Sequence, residues 1–106
     1  MLLNISQSGD ETIVAVHVAR LDASVAPKFK TEMTAIVNAG AKHIVLDMAG
    51  VKMLDSSGLG TLVSILKMLN GQGKIVIRNA SSSVLSLFKI TRMDRVFTID
   101  VASAAV

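Results

Sequence analysis

Residues 11–19, Glu-Thr-Ile-Val-Ala-Val-His-Val-Ala, are mostly apolar and rich in β-branched side chains, which predicts a strand. Leu3 and Ile5 alternate with polar residues before the turn dipeptide Gly9-Asp10, so the chain opens with a hairpin. The period then changes. Phe29, Met33, Ile36 and Val37 fall at i, i+4, i+7 and i+8, one face of a helix that Ser24 can cap, that carries Pro27 in its first turn and that Gly40 stops. Residues 43–48, His-Ile-Val-Leu-Asp-Met, form a short apolar run ending near Gly50, the pattern of a strand buried on both faces. Val51 to Leu54 read as a loop. Beyond Asp55-Ser56-Ser57-Gly58-Leu59-Gly60 a second helix runs to the stop at Gly71, with Leu59, Leu62, Val63, Leu66 and Leu69 as its apolar stripe. Ile65 and Met68 lie off the centre of that stripe, beside Thr61, Ser64 and Lys67; they either widen the buried face or stay partly exposed as a candidate interface.

Lys74 to Ala80, centred on Ile75, Val76 and Ile77, predicts another strand buried on both faces, and Ser82 or Ser83 can cap a third helix over Val84, Leu85, Leu87 and Phe88. Val96 to Ile99 closes the sheet, and residues 101–106 form a small apolar tail, a single helical turn or a frayed end. The order β-β-α-β-α-β-α-β places strand-helix-strand units after the hairpin, so the later strands are expected to be mostly parallel with right-handed crossovers. This is an α/β sandwich with one sheet and one helical side. No repeat or linker interrupts it, and 106 residues suit a single domain spanning 1–106.

Composition narrows the function classes. Hydrophobic residues make up 51% and charged residues 18%, with a mean hydropathy of +0.57, which excludes a disordered chain and exceeds what a small soluble domain needs. No stretch approaches the ~18 consecutive apolar residues of a membrane span. The first residues have no basic and no long apolar region of a signal peptide, so a cytoplasmic location is expected. The absence of cysteine removes disulfides and thiolate chemistry. His17 and His43 sit among β-branched neighbours and read as strand residues, without further ligands at metal-binding spacing. The net charge of +3 is spread along the chain, with only Lys89, Arg92 and Arg95 close together, and Phe29, Phe88 and Phe97 stand in core-like contexts. Nucleic-acid binding is not indicated.

The informative segment is Asp55-Ser56-Ser57-Gly58-Leu59-Gly60. Each of its three oxygen-bearing side chains can cap the helix, a contribution of ~1 kcal/mol. Glycine in a first helical turn costs ~1 kcal/mol relative to alanine, so Gly58 and Gly60 suggest a turn that something approaches closely. A nucleophile elbow would need a glycine two residues before the serine, and a phosphate loop would need Gly-Lys-Ser or Gly-Lys-Thr; neither is present. A phosphoacceptor serine at a helix N-terminus remains.

Val45-Leu46-Asp47-Met48 followed by Met53-Leu54-Asp55-Ser56-Ser57-Gly58-Leu59-Gly60 resembles the signature of the STAS domain family, in particular its bacterial anti-sigma factor antagonists. Leu21-Asp22, Ala26-Pro27, Ile75-Val76-Ile77 and Leu87 to Phe97 extend the resemblance over essentially the whole chain. It implies the STAS fold: a single mixed, mostly parallel sheet of four to five strands with three to four helices packed mainly on one side. It also implies a non-enzymatic, cofactor-free switch, monomeric when free, that binds a serine-kinase anti-sigma factor and frees the sigma factor. By the same resemblance Ser56 is the phosphoacceptor, with Ser57 the second choice, and a PP2C-type phosphatase removes the phosphate. Asp55, Ser57, Gly58, Leu59, Gly60 and, from the family's kinase interface, Asp22 would form the docking motif. The alternatives are a STAS subunit of another regulatory or lipid-transport assembly, or a switch with a non-sigma output. Two departures stand out: Ala19-Arg20 replaces the family's common Gly-Glu, reversing a charge, and only six residues follow Asp100, where the family usually has a further helix.

Overall fold

The computed structural model describes residues 1–100; the tail expected at 101–106 lies outside the described residues. In chain order the elements are β1 (Leu3–Ser8), β2 (Glu11–Val16), β3 (Arg20–Leu21), α1 (Ala26–Asn38), β4 (His43–Asp47), β5 (Met53–Leu54), α2 (Ser56–Met68), β6 (Lys74–Arg78), α3 (Ser82–Ile90), a 3-10 turn (Met93–Arg95) and β7 (Thr98–Ile99). The hairpin β1–β2 is antiparallel, and every later pairing in the five-stranded sheet, ordered β1-β2-β4-β6-β7, is parallel. The mixed, mostly parallel sheet is therefore as expected.

Register explains the core. Val14, Leu46 and Ile77 stand side by side across the three central strands, as do Thr12, Ile44 and Ile75, and all are buried on the helical side. On the other face Ile13, Val45 and Val76 are aligned. Only Val45, the middle one, is buried, because the flanking strands shield it; Ile13 and Val76 stay half-exposed. Burial on both faces thus holds for β4 and fails for β6. From the helices, Phe29, Met33, Leu62, Ile65 and Phe88 are fully buried in the same core, and Phe88 meets Phe97 edge-on at 5.4 Å between ring centroids.

The strand expected over 11–19 ends at Val16 and the one over 74–80 ends at Arg78, while the caps of α1 and α3 shift by one residue. The α1 cap position belongs to Val25, without a side-chain cap, because Ser24 is occupied with Asp22. α3 is capped by Ser81, one residue before the expected serines, through a bond from the Val84 amide at 3.3 Å. The closing strand is two residues shorter than expected, since Val96 and Phe97 complete the 3-10 turn with amide bonds to the Met93 carbonyl. The segment read as a loop before the second helix contains β5, which pairs in parallel with β3 as a separate two-stranded ribbon, Arg20 beside Met53 and Leu21 beside Leu54.

Candidate functional site

The β3–β5 ribbon builds the site. Two Leu-Asp dipeptides, Leu21-Asp22 and Leu54-Asp55, run side by side: the leucines are register partners, both are buried, and the aspartates follow at the ribbon's C-terminal end. The Asp55 amide donates to the Leu21 carbonyl at 3.3 Å, tying the two ends together.

Asp55 has extended backbone angles and caps α2, its Oδ1 accepting the Gly58 amide at 3.0 Å while its carbonyl accepts the Leu59 amide at 3.0 Å. Ser56 and Ser57 are consequently the first two residues of α2, and both are exposed. Of the three candidate caps, Asp55 takes the role, which leaves the Ser56 hydroxyl outside any hydrogen bond within the described residues. Ser57 borders a shallow depression of about 400 Å³ shared with Thr61 and, from α1 and its entry, Ala23, Pro27 and Lys30.

Asp22 does a similar job at the start of α1. Its Oδ1 accepts the Ser24 hydroxyl at 2.6 Å and the Ser24 amide at 3.1 Å, its Oδ2 lies 3.6 Å from the Arg20 guanidinium, and its carbonyl accepts the Val25 and Ala26 amides. The Ser24 hydroxyl is the main reason that the Asp22 carboxyl sits below its ordinary pKa; partial burial opposes this, and the Ser24 amide and Arg20 add to it. Asp22 and Asp55 thus follow paired leucines at the same end of the ribbon, each at the start of a helix, Asp22 with Arg20 and Asp55 directly before Ser56.

Four expectations about the motif and its helix need correction. Gly58 is buried, and a Cβ there would fall 2.4 Å from the Leu21 carbonyl oxygen and 2.7 Å from Leu54 Cδ1, so the close approach it permits is that of α2 to its own ribbon. Leu59 is buried too and presents nothing to a partner; Gly60 alone of the two glycines is exposed, with open space around it. Ile65 is fully buried and is no interface residue: the face of α2 that enters the core runs through Gly58, Leu62, Ile65 and Leu69, while Val63 and Leu66 are only partly buried. Met68 is 38% exposed, but it lies twelve residues from Ser56, about 18 Å along the axis, and touches Thr34 of α1 with its sulfur. It does not extend a surface from the serines.

His17 follows β2, its amide donating to the Leu2 carbonyl at 2.8 Å. His43 Nδ1 lies 3.4 Å from Asp10 at the exposed hairpin end of the sheet. Among the described residues no group of three His, Asp or Glu side chains is placed to hold a metal ion, and no helix is long and apolar enough to cross a membrane. A groove of about 840 Å³ between α1 and the β1–β2 hairpin includes Ile5, Ala35 and Ala39 but no residue of the motif.

Known proteins resemble this chain in sequence and fold. The anti-sigma-B factor antagonist of Staphylococcus aureus (strain NCTC 8325 / PS 47) is 32% identical over 93 residues, covering 86% of each chain. That of Bacillus subtilis (strain 168) is 28% identical over 105 residues, covering 97% of this chain and 95% of the other. The anti-sigma factor antagonist SpoIIAA, a Bacillus cell fate determinant, shares the fold at low identity. Its unphosphorylated form superposes with a TM-score of 0.75 at 16% identity, over 92% of this chain and 86% of that one. Its phosphorylated form gives 0.69 at 15%, over 92% and 89%. Residues 3–105 match the STAS domain. With that match spanning nearly its whole length, the chain belongs to the STAS domain family.

Proposed function

We propose that this protein is an anti-sigma factor antagonist that works as a phosphorylation-controlled partner switch. With Ser56 free it binds a serine-kinase anti-sigma factor, which then lets go of its sigma factor; phosphorylation of Ser56 releases the kinase, and a PP2C-type phosphatase resets the cycle. The chain itself catalyses nothing in this scheme. The observation that carries the reading is the exposed Ser56 hydroxyl, first in α2 and directly behind the Asp55 cap. Relatives named anti-sigma-B factor antagonist support the partner class.

The chemistry suits a switch. Phosphate on Ser56 adds about −1.5 to −2 charges next to Asp55. The α2 N-terminus offsets part of that charge, so the fold persists. A partner seated on this face must instead desolvate a dianion next to a carboxylate, and a penalty of about 3 kcal/mol weakens binding more than a hundredfold.

Capture from the source cell with the wild-type protein, Ser56→Ala and Ser56→Asp tests the scheme. The first two are expected to retain a serine kinase and the third to lose it; equal retention by all three refutes the switch. Mass spectrometry after incubation with that kinase should place the phosphate on Ser56, and phosphate on Ser57 alone overturns the assignment of the acceptor.

A further inference from the structure

A second surface lies at the far end of α3. The N-terminal end of that helix meets β5, where the Ser83 hydroxyl donates to the Lys52 carbonyl at 3.1 Å. Its last residues are about 12 Å further along the axis. There Lys89, Arg92 and Arg95 are all exposed, and none forms an ion pair among the described residues. Ile90, 80% exposed, follows Lys89, and Val96, 52% exposed, follows Arg95. Two bare aliphatic side chains among three unpaired cations are not explained by packing.

Arg92 strengthens the case. It follows the α3 cap residue Thr91 with φ +60° and ψ 21°, the left-handed conformation that glycine adopts most readily. The corresponding turns after α1 and α2 use Gly40 at φ +109° and Asn70-Gly71 at φ 53° and 74°. Here a long cationic side chain occupies a position where glycine would strain the backbone less, and its guanidinium forms no ion pair among the described residues.

We propose that this patch is a docking site for a protein surface that presents carboxylates around an aliphatic side chain, separate from the Ser56 face. Two of the three cations are arginines, whose planar forks match carboxylates in bidentate pairs. A bilayer fits less well: Asp94 sits among the cations, and three basic residues fall short of the roughly four to eight that mark an anionic-lipid site. Nucleic acid lacks a stacking platform, since Phe88 and Phe97 are both buried.

The test is site-specific photocrosslinking in the source cell, with benzoylphenylalanine at position 90 and, as a control, at position 5, which is exposed on β1 at the opposite edge of the sheet. The expected result is a discrete protein adduct from position 90, mapped to a segment where Asp or Glu flanks an aliphatic residue. Adding Arg92→Gly and Arg95→Glu should lower its yield about tenfold. Because Arg92→Gly relieves the left-handed strain, an undiminished melting temperature of the doubly substituted protein shows that the loss is not unfolding. The Ser56→Asp background should leave the adduct intact, which keeps this outcome distinct from that of the switch. Four results overturn the proposal: an adduct no stronger than from position 5, one insensitive to the charge change, one mapped to a segment without carboxylates, or crosslinks to lipid alone. In the last case co-sedimentation with vesicles of phosphatidylcholine and phosphatidylglycerol identifies a membrane site.

Discussion

Replacing Gly58 by alanine adds one methyl group where α2 rests on the β3–β5 ribbon. The new carbon would sit 2.4 Å from the Leu21 carbonyl oxygen, 2.7 Å from Leu54 Cδ1 and 3.0 Å from Leu21 Cγ, whereas ordinary contact begins at 3.4 Å. Leu54 can turn its methyl aside, but the Leu21 carbonyl is backbone and already accepts the Asp55 amide at 3.3 Å. Helix and ribbon must therefore part by about 1 Å, which weakens a bond contributing about 1 kcal/mol and adds an overpacking penalty of about 1–3 kcal/mol. The higher helix propensity of alanine returns about 1 kcal/mol. The net expectation is a loss of about 2 kcal/mol, read by thermal denaturation as a fall of roughly 10 °C. Gly60→Ala is the internal control: its methyl group meets no atom within 4 Å, so the propensity gain stands alone and the melting temperature rises by about 5 °C. If Gly58→Ala melts no lower than the wild type, the glycine is not there for internal packing.

Ile65→Ala should destabilise the fold by about 3 kcal/mol, because Ile65 is fully buried, whereas Met68→Ala at a partly exposed site should lose about 1 kcal/mol or less; chemical denaturation that ranks them the other way refutes the orientation of α2. Asp22 links stability to acid. Its carboxyl is held below the ordinary value of 3.8 chiefly by the Ser24 hydroxyl, so its contribution is fully present above that value and is lost as the pH falls through the lower folded value. Urea midpoints measured from pH 6 down to pH 2 should fall less steeply below pH 4 for Asp22→Asn than for the wild type; parallel curves would show that the carboxylate does not stabilise the start of α1.

Much of the fold is legible because each strong periodic segment buries its apolar side chains in the way its own spacing dictates. The β-branched stretch of residues 11–16 forms β2, where burial alternates, and Phe29, Met33 and Ile36 form the buried face of α1. The errors occur where two neighbours compete for one role. Ser24 has the composition of a helix cap but lies within reach of Asp22, which holds it through two bonds. On α2 nearly every position is apolar or small, so spacing alone defines several overlapping stripes, and contact with the ribbon selects the one through Gly58, Leu62 and Ile65.

The sequence by itself determined the succession of the three helices and of the five strands of the main sheet, the mostly parallel character of that sheet and the position of Ser56 at the start of a helix. All of these depend on interactions between residues near in the chain or on the chain's hydrophobic period. Only the tertiary structure decided that Leu21-Asp22 and Leu54-Asp55, more than thirty residues apart in number, lie side by side. The ribbon that joins them has two residues per strand, too few to leave a periodic signal, and backbone pairing across the fold holds it in place. The same long-range contact gave Gly58 its meaning, since a glycine chosen for the carbonyl of Leu21 looks, along the chain, like one kept free for a partner.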